Sequence, residues 1–141
     1  MRNDSTVTPR SILLIDNDGQ VRTFLRRVLE EAGYRVLVAS NGQEGLRQFR
    51  QTHTPLVITD LFMPEQDGLE VTMALHRESP TVKIIVITGI SGDPNFLEIA
   101  TRLGAHRTMK KPVTIAELLR AVEEELLEGP PHKGYGLQEE G

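Results

Sequence analysis

The chain has 141 residues, a formal net charge of −4 and a pI of about 5.6, which suits one domain with one core and does not indicate a protein that coats nucleic acid. It contains no cysteine, which excludes disulfide bonds and thiolate metal sites and is typical of a reducing compartment. It has neither a signal-peptide pattern nor an apolar run of membrane-spanning length. We therefore expect a cytoplasmic protein without membrane insertion or direct nucleic-acid binding.

Four short apolar runs rich in β-branched residues, and a weaker fifth run, predict strands. The four lie at residues 11–15, 35–39, 56–59 and 83–88, and the weaker one at 107–109. The first, third and fourth are apolar throughout most of their length, as expected for strands buried on both faces of a parallel sheet. The segments between the runs have apolar residues at i, i+3, i+4 and i+7, which predicts amphipathic helices. In the first segment these positions are Val21, Phe24, Leu25 and Val28.

Each predicted helix begins at a residue type that favours N-capping. These candidate caps are Asp18, Asn41, Asp67, Asp93 and Thr114. Gly33 and Gly104 follow two of the helices and are predicted to end them. Strands and helices thus alternate five times, which predicts an α/β fold with a parallel sheet, right-handed crossovers and helices on both faces.

The two ends of the chain lack this alternation. We expect residues 1–10 to form a loose N-terminal arm and residues 11–128 to form the folded domain. Residues 129–141 have no core-forming pattern and are predicted to be a tail too short to make a second domain.

Polar residues follow the predicted strands at their carboxyl ends. They are Asp16, Asn17 and Asp18 after the first strand, Asp60 after the third, Thr88 after the fourth, and Lys111 and Pro112 after the fifth. In a parallel sheet these ends share one edge, where ligands bind. Neighbouring carboxylates repel unless a cation lies among them, and Mg²⁺ prefers oxygen ligands. Asp60 is then the candidate covalent acceptor, with Lys111 and Thr88 facing the oxygens of a phosphoryl group.

Four stretches carry a resemblance to a known family. ILLIDND, LVITDLFMPEQDGLE, VITG and KKPV occur in this order at the predicted strand ends. Together they resemble the receiver domain of response regulators in two-component signalling, over about residues 11 to 128. The DLFMPEQDG stretch is the most specific of the four. The resemblance implies a doubly wound, flavodoxin-like (βα)5 sandwich with strand order 2-1-3-4-5.

The resemblance also implies roles for individual residues. Asp60 matches the phosphorylated aspartate. Mg²⁺ would be held by Asp16, Asn17 and Asp60, with the backbone carbonyl of Phe62 as a further ligand.

Three more roles follow from the same resemblance. Thr88 matches the hydroxyl that responds to phosphorylation, and position 108 matches a second switch residue. Lys111 matches the lysine that pairs with the acyl phosphate, and its peptide bond to Pro112 is expected to be cis.

The implied reaction is phosphoryl transfer to Asp60 from the phosphohistidine of a sensor histidine kinase or a phosphotransfer protein. Phosphorylation would then change the binding preference of the face formed by the fourth helix, fifth strand and fifth helix. That face would bind a downstream protein or pair two copies of the chain. The domain would be a signalling phospho-acceptor, catalysing only its own phosphorylation and dephosphorylation.

The sequence departs from the family pattern at four positions. Asn17 replaces an aspartate, which predicts weaker Mg²⁺ binding. Thr108 replaces an aromatic ring, so the coupling that such a ring provides is absent or lies in other residues. Phe62 and Ile90 are apolar where the family flanks the path of attacking water, which predicts slow loss of the phosphoryl group.

Two other functions remain open at this point. Asn17 and Thr108 are also compatible with a pseudo-receiver that binds proteins without being phosphorylated. The DNDG stretch resembles the start of haloacid-dehalogenase phosphatases, but Gln20 and the missing later acidic pair depart from that pattern.

Several charged residues are given structural interpretations. Asp18 is predicted to cap the first helix, and residues 123–125, all glutamate, are predicted to lie on the solvent face of the last helix. The four histidines are interpreted as surface residues: His53, His76, His106 and His132. A basic cluster of His106, Arg107, Lys110 and Lys111 is either a solvated edge or a docking surface for an acidic partner.

Overall fold

The structure, a computed structural model, describes residues 10–61, 63, 67–89 and 94–127. The strands within these ranges are β1 (Ser11–Ile15), β2 (Arg35–Ala39), β3 (Leu56–Asp60), β4 (Lys83–Thr88) and β5 (Arg107–Lys110). The helices are α1 (Gly19–Glu31), α2 (Gly42–Gln51), α3 (Gly68–Glu78), α4 (Pro94–Leu103) and α5 (Ile115–Leu127). The predicted arm, apart from its last residue, and the predicted tail lie outside the described residues.

The five strands form one parallel sheet in the order β2-β1-β3-β4-β5, which confirms the predicted topology. The apolar composition of the three central strands explains their position, because a strand covered on both faces cannot alternate polar and apolar residues. Every residue of β3 and β4 is buried, whereas β2 and β5 at the two edges are partly exposed. The switch in strand order falls between β1 and β3.

Two apolar layers pack on opposite faces of the sheet. Leu13 and Ile15 of β1 face the layer under α2, α3 and α4, whereas Ile12 and Leu14 face the layer under α1 and α5. This division follows from the two-residue period of a strand. The four crossovers that join the five parallel strands therefore bring the carboxyl ends of all strands to one edge, where the site lies.

The predicted helix starts are confirmed wherever the structure describes them. Asp18, Asn41 and Asp67 each accept backbone N–H bonds from the first turn of their helices. Thr114 and Glu117 form a reciprocal capping box, with both hydrogen bonds at 3.0 Å. Asp93 lies outside the described residues. Gly33 and Gly104 have φ angles of +102° and +129°, the left-handed conformation that favours glycine at a helix end.

Two interpretations of charged residues were wrong. Glu125 does not lie on the wet face of α5: it is 5% exposed, and its carboxylate lies 3.7 Å from Lys83 Nζ and 3.0 Å from Arg107 Nε. His106 is partly buried and its Nδ1 accepts the backbone N–H of Ile84 at 3.1 Å. The imidazole thus accepts a hydrogen bond that a strand carbonyl would otherwise accept, one residue before β5 begins. His53 and His76 are exposed, as predicted, and His132 lies outside the described residues.

None of the helices in the described part of the chain is long and apolar enough to cross a bilayer.

Candidate functional site

Asp60 is the last residue of β3, and its side chain is fixed by the following peptide. It is 9% exposed. The backbone N–H of Leu61 donates to Asp60 Oδ1 at 2.9 Å and also to the carbonyl of Ile87 at 2.8 Å. Because the same peptide is held by β4, the carboxylate has a defined direction at the edge of the sheet.

Asp16 and Lys111 converge on Asp60 from the neighbouring strands. Asp16 follows β1, is 3% exposed, and accepts the backbone N–H of Asp18 on Oδ1 at 2.9 Å. Lys111 Nζ lies 3.7 Å from Asp16 Oδ2 and 3.6 Å from Asp60 Oδ2. The ammonium group therefore lies between two buried carboxylates, as the sequence predicted for residues at these strand ends.

Thr88, the last residue of β4, is the remaining predicted residue at this edge of the sheet. It is 1% exposed, and within the described part of the chain its Oγ1 has no hydrogen-bond partner. A buried hydroxyl without a partner is uncommon and needs an explanation. The backbone N–H of Lys111 donates to the Thr88 carbonyl at 2.7 Å, and the Lys111–Pro112 peptide bond is cis, as predicted. Thr88 and Lys111 are thus adjacent, with a hydroxyl available to an incoming oxygen.

The pKa of Asp60 is raised above that of an ordinary aspartate. Burial of the carboxylate is the largest cause, and the nearby negative charge of Asp16 adds to it. The ammonium of Lys111 and the hydrogen bond from the Leu61 N–H oppose the rise but do not cancel it. The ionised form is therefore held at a cost, which a cation or a covalent bond to the carboxylate would relieve.

Asp60→Asn is expected to make the metal-free protein more stable at neutral pH. Because the folded pKa of Asp60 exceeds the unfolded value, this residue favours folding most below the unfolded pKa, and that contribution is lost as pH rises through the folded pKa. The gain from Asp60→Asn should therefore shrink as the pH is lowered. Urea unfolding with EDTA at several pH values measures this, and a gain that grows on acidification would contradict it.

Arg22 is a residue of the site that sequence analysis missed. Its Nη1 donates to the backbone carbonyl of Asp16 at 2.7 Å, across the turn that joins β1 to α1. The available signal was the position of Arg22 in the first turn of α1, because helical side chains point back toward the N-terminus and a long one can reach the preceding turn. Arg22 holds the turn on which exposed Asn17 and capping residue Asp18 lie.

The candidate metal ligands at this site are oxygen atoms, which suit a magnesium ion better than a softer metal. In the ranges that the structure describes, no three or more His, Cys, Asp or Glu side chains form a metal-binding group. A cation here would depend on the carboxylates of Asp16 and Asp60 and the amide oxygen of Asn17. Mg²⁺ is commonly held by one or two carboxylates, with waters and phosphate oxygens completing its shell. The further predicted ligand, the carbonyl of Phe62, lies outside the described residues.

Two other predicted groups have different outcomes. Thr108 lies in β5, partly buried and in register with Val86 of β4, but nothing in its surroundings tests a switching role. Phe62 and Ile90, predicted to slow the loss of the phosphoryl group, are both outside the described residues.

Comparison with known proteins identifies the family. The sequence matches the family model of the response regulator receiver domain over residues 12–123. The chain belongs to this family. The Clostridium thermocellum response regulator receiver domain is a similar solved structure, with a TM-score of 0.80, 32% identity, and coverage of 84% of this chain and 94% of that one. The CheY-like receiver domain protein of Methanospirillum hungatei has a TM-score of 0.79 at 27% identity, covering 86% of this chain and all of that one.

Curated relatives of this receiver domain differ in length. The response regulator receiver protein CpdR of Brucella abortus is 30% identical over 118 residues, which cover 84% of this chain and 98% of that protein. The transcriptional regulatory protein GlrR of Escherichia coli is 32% identical over 123 residues, which cover 87% of this chain but only 28% of that protein. Receiver domains of this kind thus occur both alone and as a minor part of longer regulators.

Proposed function

We propose that this receiver domain accepts a phosphoryl group on Asp60 from the phosphohistidine of a sensor histidine kinase or a phosphotransfer protein. The observation that carries the proposal is the convergence of a buried Asp60 with Asp16, Lys111 and the Thr88 hydroxyl, which has no hydrogen-bond partner among the described residues. An incoming phosphoryl group would give that hydroxyl an acceptor and the Lys111 ammonium a further anionic partner.

The transfer forms a bond between an Asp60 carboxylate oxygen and phosphorus as the phosphorus–nitrogen bond of phosphohistidine breaks. The histidine nitrogen leaves with the electron pair of that bond. Asp16, Asn17 and Asp60 would hold Mg²⁺, which supplies charge neutralisation when bound. Lys111 would move its interaction from the Asp60 carboxylate to the new phosphoryl oxygens, and the Thr88 hydroxyl would donate to one of them.

These two contacts provide a route from the site to the surface. Lys111 and Thr88 join the ends of β5 and β4 through the Lys111 N–H to Thr88 carbonyl bond. A pull on either side chain would therefore act on β5 and on the helices α4 and α5 beside it. We propose that this α4–β5–α5 face binds a downstream protein, or a second copy of the chain, with a preference that phosphorylation changes. The proposed compartment is the cytoplasm.

Intact mass after incubation with acetyl phosphate and Mg²⁺ tests the acceptor. We expect the mass of one phosphoryl group to be gained by the wild type and not by Asp60→Asn. The control variant is matched in shape and keeps the fold, as its unfolding curve would show. No gain at high Mg²⁺ would replace the proposal by the pseudo-receiver, whereas continuous release of phosphate from a phosphate ester would indicate the phosphatase.

Asn17→Asp is expected to tighten Mg²⁺ binding. The change restores a carboxylate on the exposed side of the site, and unit charges about 4 Å apart interact by at most roughly 4 kcal/mol at an effective dielectric of 20. After competition with solvent we expect about tenfold tighter binding. Isothermal titration with MgCl₂ measures the dissociation constant, and Gln20→Glu, three residues further along the chain in the first turn of α1, is the charge-matched control. An unchanged constant in Asn17→Asp would count against direct ligation.

A further inference from the structure

The outer edge of β5 and the adjoining turns of α5 border a groove that the phosphorylation site does not use. The groove has a volume of about 400 Å³ and is lined by Arg107, Thr108, Met109, Lys110, Glu117 and Arg120. Three of these side chains are cationic and one is a carboxylate. One of the three cations, Arg107, is already paired with Glu124 at 2.7 Å and with Glu125 at 3.0 Å.

The acidic groups near the groove are already engaged. Glu117 accepts the backbone N–H of Thr114 in the capping box, and Glu124 pairs with Arg107 at 2.7 Å. By contrast, among the residues that the structure describes, Lys110 and Arg120 form no ion pair, and both are exposed. They are therefore the two cationic side chains of the lining that no described carboxylate pairs, one on the strand side of the groove and one on the helix side.

The strand itself offers unpaired backbone groups. The N–H of His106 donates to the Ile84 carbonyl, so the backbone at residues 106 and 108 is directed toward β4. Strand alternation then directs the N–H and C=O groups of Arg107 and Met109 to the open edge. Within the described ranges no backbone hydrogen bond from another element reaches them.

We propose that the groove binds an extended acidic segment of a partner protein, added as a further strand along β5. The backbone of Arg107 and Met109 would supply the strand pairing, and Lys110 and Arg120 would pair with carboxylates of the segment. This deepens the proposed function, because β5 and α5 belong to the face whose preference phosphorylation is proposed to change.

Lysine on an edge strand can also serve only to keep edges of different molecules apart. Such protection needs charge on the strand alone. Here the positive charge continues from Lys110 on β5 to Arg120 on α5, across the width of the groove. Arg120 on α5 would not keep strand edges apart, but it could pair with a ligand that lies between it and Lys110. The position of Arg120 therefore favours docking over edge protection.

The test is a titration of the full chain with a decapeptide of alternating glutamate and threonine, followed by amide chemical shifts. We expect shifts confined to β5 and the first half of α5, slower hydrogen exchange at the Arg107 and Met109 amides, and no binding of a lysine–threonine decapeptide. Lys110→Glu with Arg120→Glu should weaken binding about tenfold or more. The matched control is Arg47→Glu with Arg77→Glu, which has the same net charge and changes exposed arginines of α2 and α3.

Each other outcome overturns the proposal. Equal weakening in both double variants would assign the binding to overall charge. Shifts without slower exchange at Arg107 and Met109 would reject strand addition, and no binding would leave edge protection as the role of the lysine. Self-association of the wild type that the Lys110→Glu and Arg120→Glu pair abolishes would assign the groove to a second copy. Phosphorylation of Asp60 is read separately by intact mass, so its failure is distinct from the failure of the groove.

Discussion

Gly68→Ala is expected to slow phosphorylation of Asp60 about a hundredfold, because a misplacement of about 1 Å at a reacting group has a cost of that order. Gly68 is the first residue of α3, and its N–H donates to the Leu61 carbonyl at 2.7 Å. An added Cβ would overlap the carbonyl oxygen of Asp60 and lie 2.8 Å from the Cα of Leu61. Both are backbone atoms, so the junction between β3 and α3 must open.

The consequence falls on the acceptor through the Asp60–Leu61 peptide. Its carbonyl oxygen is the atom that the new Cβ would overlap, and its N–H donates to Asp60 Oδ1. The next peptide is affected too, because the Leu61 carbonyl accepts the Gly68 N–H. Moving the Asp60–Leu61 peptide turns the carboxylate away from Lys111. We also expect a loss of stability of about 1–3 kcal/mol from overpacking.

Gly104→Ala separates these two effects. Gly104 has a positive φ, and its added Cβ would lie 2.7 Å from the Cβ and Cγ of His76. This position precedes β5, at the opposite end of the sheet from Asp16 and Asp60. We expect it to lose a similar amount of stability in urea while keeping the phosphorylation rate with acetyl phosphate. A Gly68→Ala protein that is folded and phosphorylated at the wild-type rate would show that the close approach does not position Asp60.

The sequence predicted the features that depend on local pattern. Strand positions followed from runs such as KIIVIT, helix starts from residues such as Asp18 and Asn41, and the meeting of Asp16, Asp60 and Lys111 from the geometry of parallel strands. In each case one rule about strand ends or helix ends was sufficient, because the feature depends only on a residue's position within its own strand or helix and on the parallel arrangement of the strands.

Features that depend on packing between distant segments were not predicted. Glu125 stands in a run of three glutamates that looks solvated, and only the position of α5 over the start of β4 and β5 places it against Lys83 and Arg107. His106 likewise looks like a surface residue until β4 presents an N–H of Ile84 with no strand opposite it. A sequence pattern indicates which face of an element is apolar, but not which charged residue meets which partner.

Glu125→Met is expected to lower the free energy of unfolding by about 3–5 kcal/mol, the usual cost of breaking a buried ion pair from one side. The Glu125 carboxylate lies between Lys83 Nζ at 3.7 Å and Arg107 Nε at 3.0 Å, and the Lys83 and Glu125 side chains are each 6% exposed. Methionine fills a similar volume, so the loss is one of charge pairing rather than of packing. Urea unfolding at neutral pH measures it.

Two further variants isolate the buried pair. Glu124→Met removes the exposed carboxylate that also pairs with Arg107, and it should cost less than about 1 kcal/mol because water replaces that interaction. Lys83→Met combined with Glu125→Met should recover most of the loss, because an apolar pair avoids the desolvation of both charges.

A stable protein with the double change would mean that the charges are kept for the orientation of α5 on β4 and β5. The phospho-dependent binding of the α4–β5–α5 face should then weaken in the double variant although its stability does not. If Glu125→Met costs no more than Glu124→Met, the buried pair contributes nothing and α5 is held by its apolar face alone.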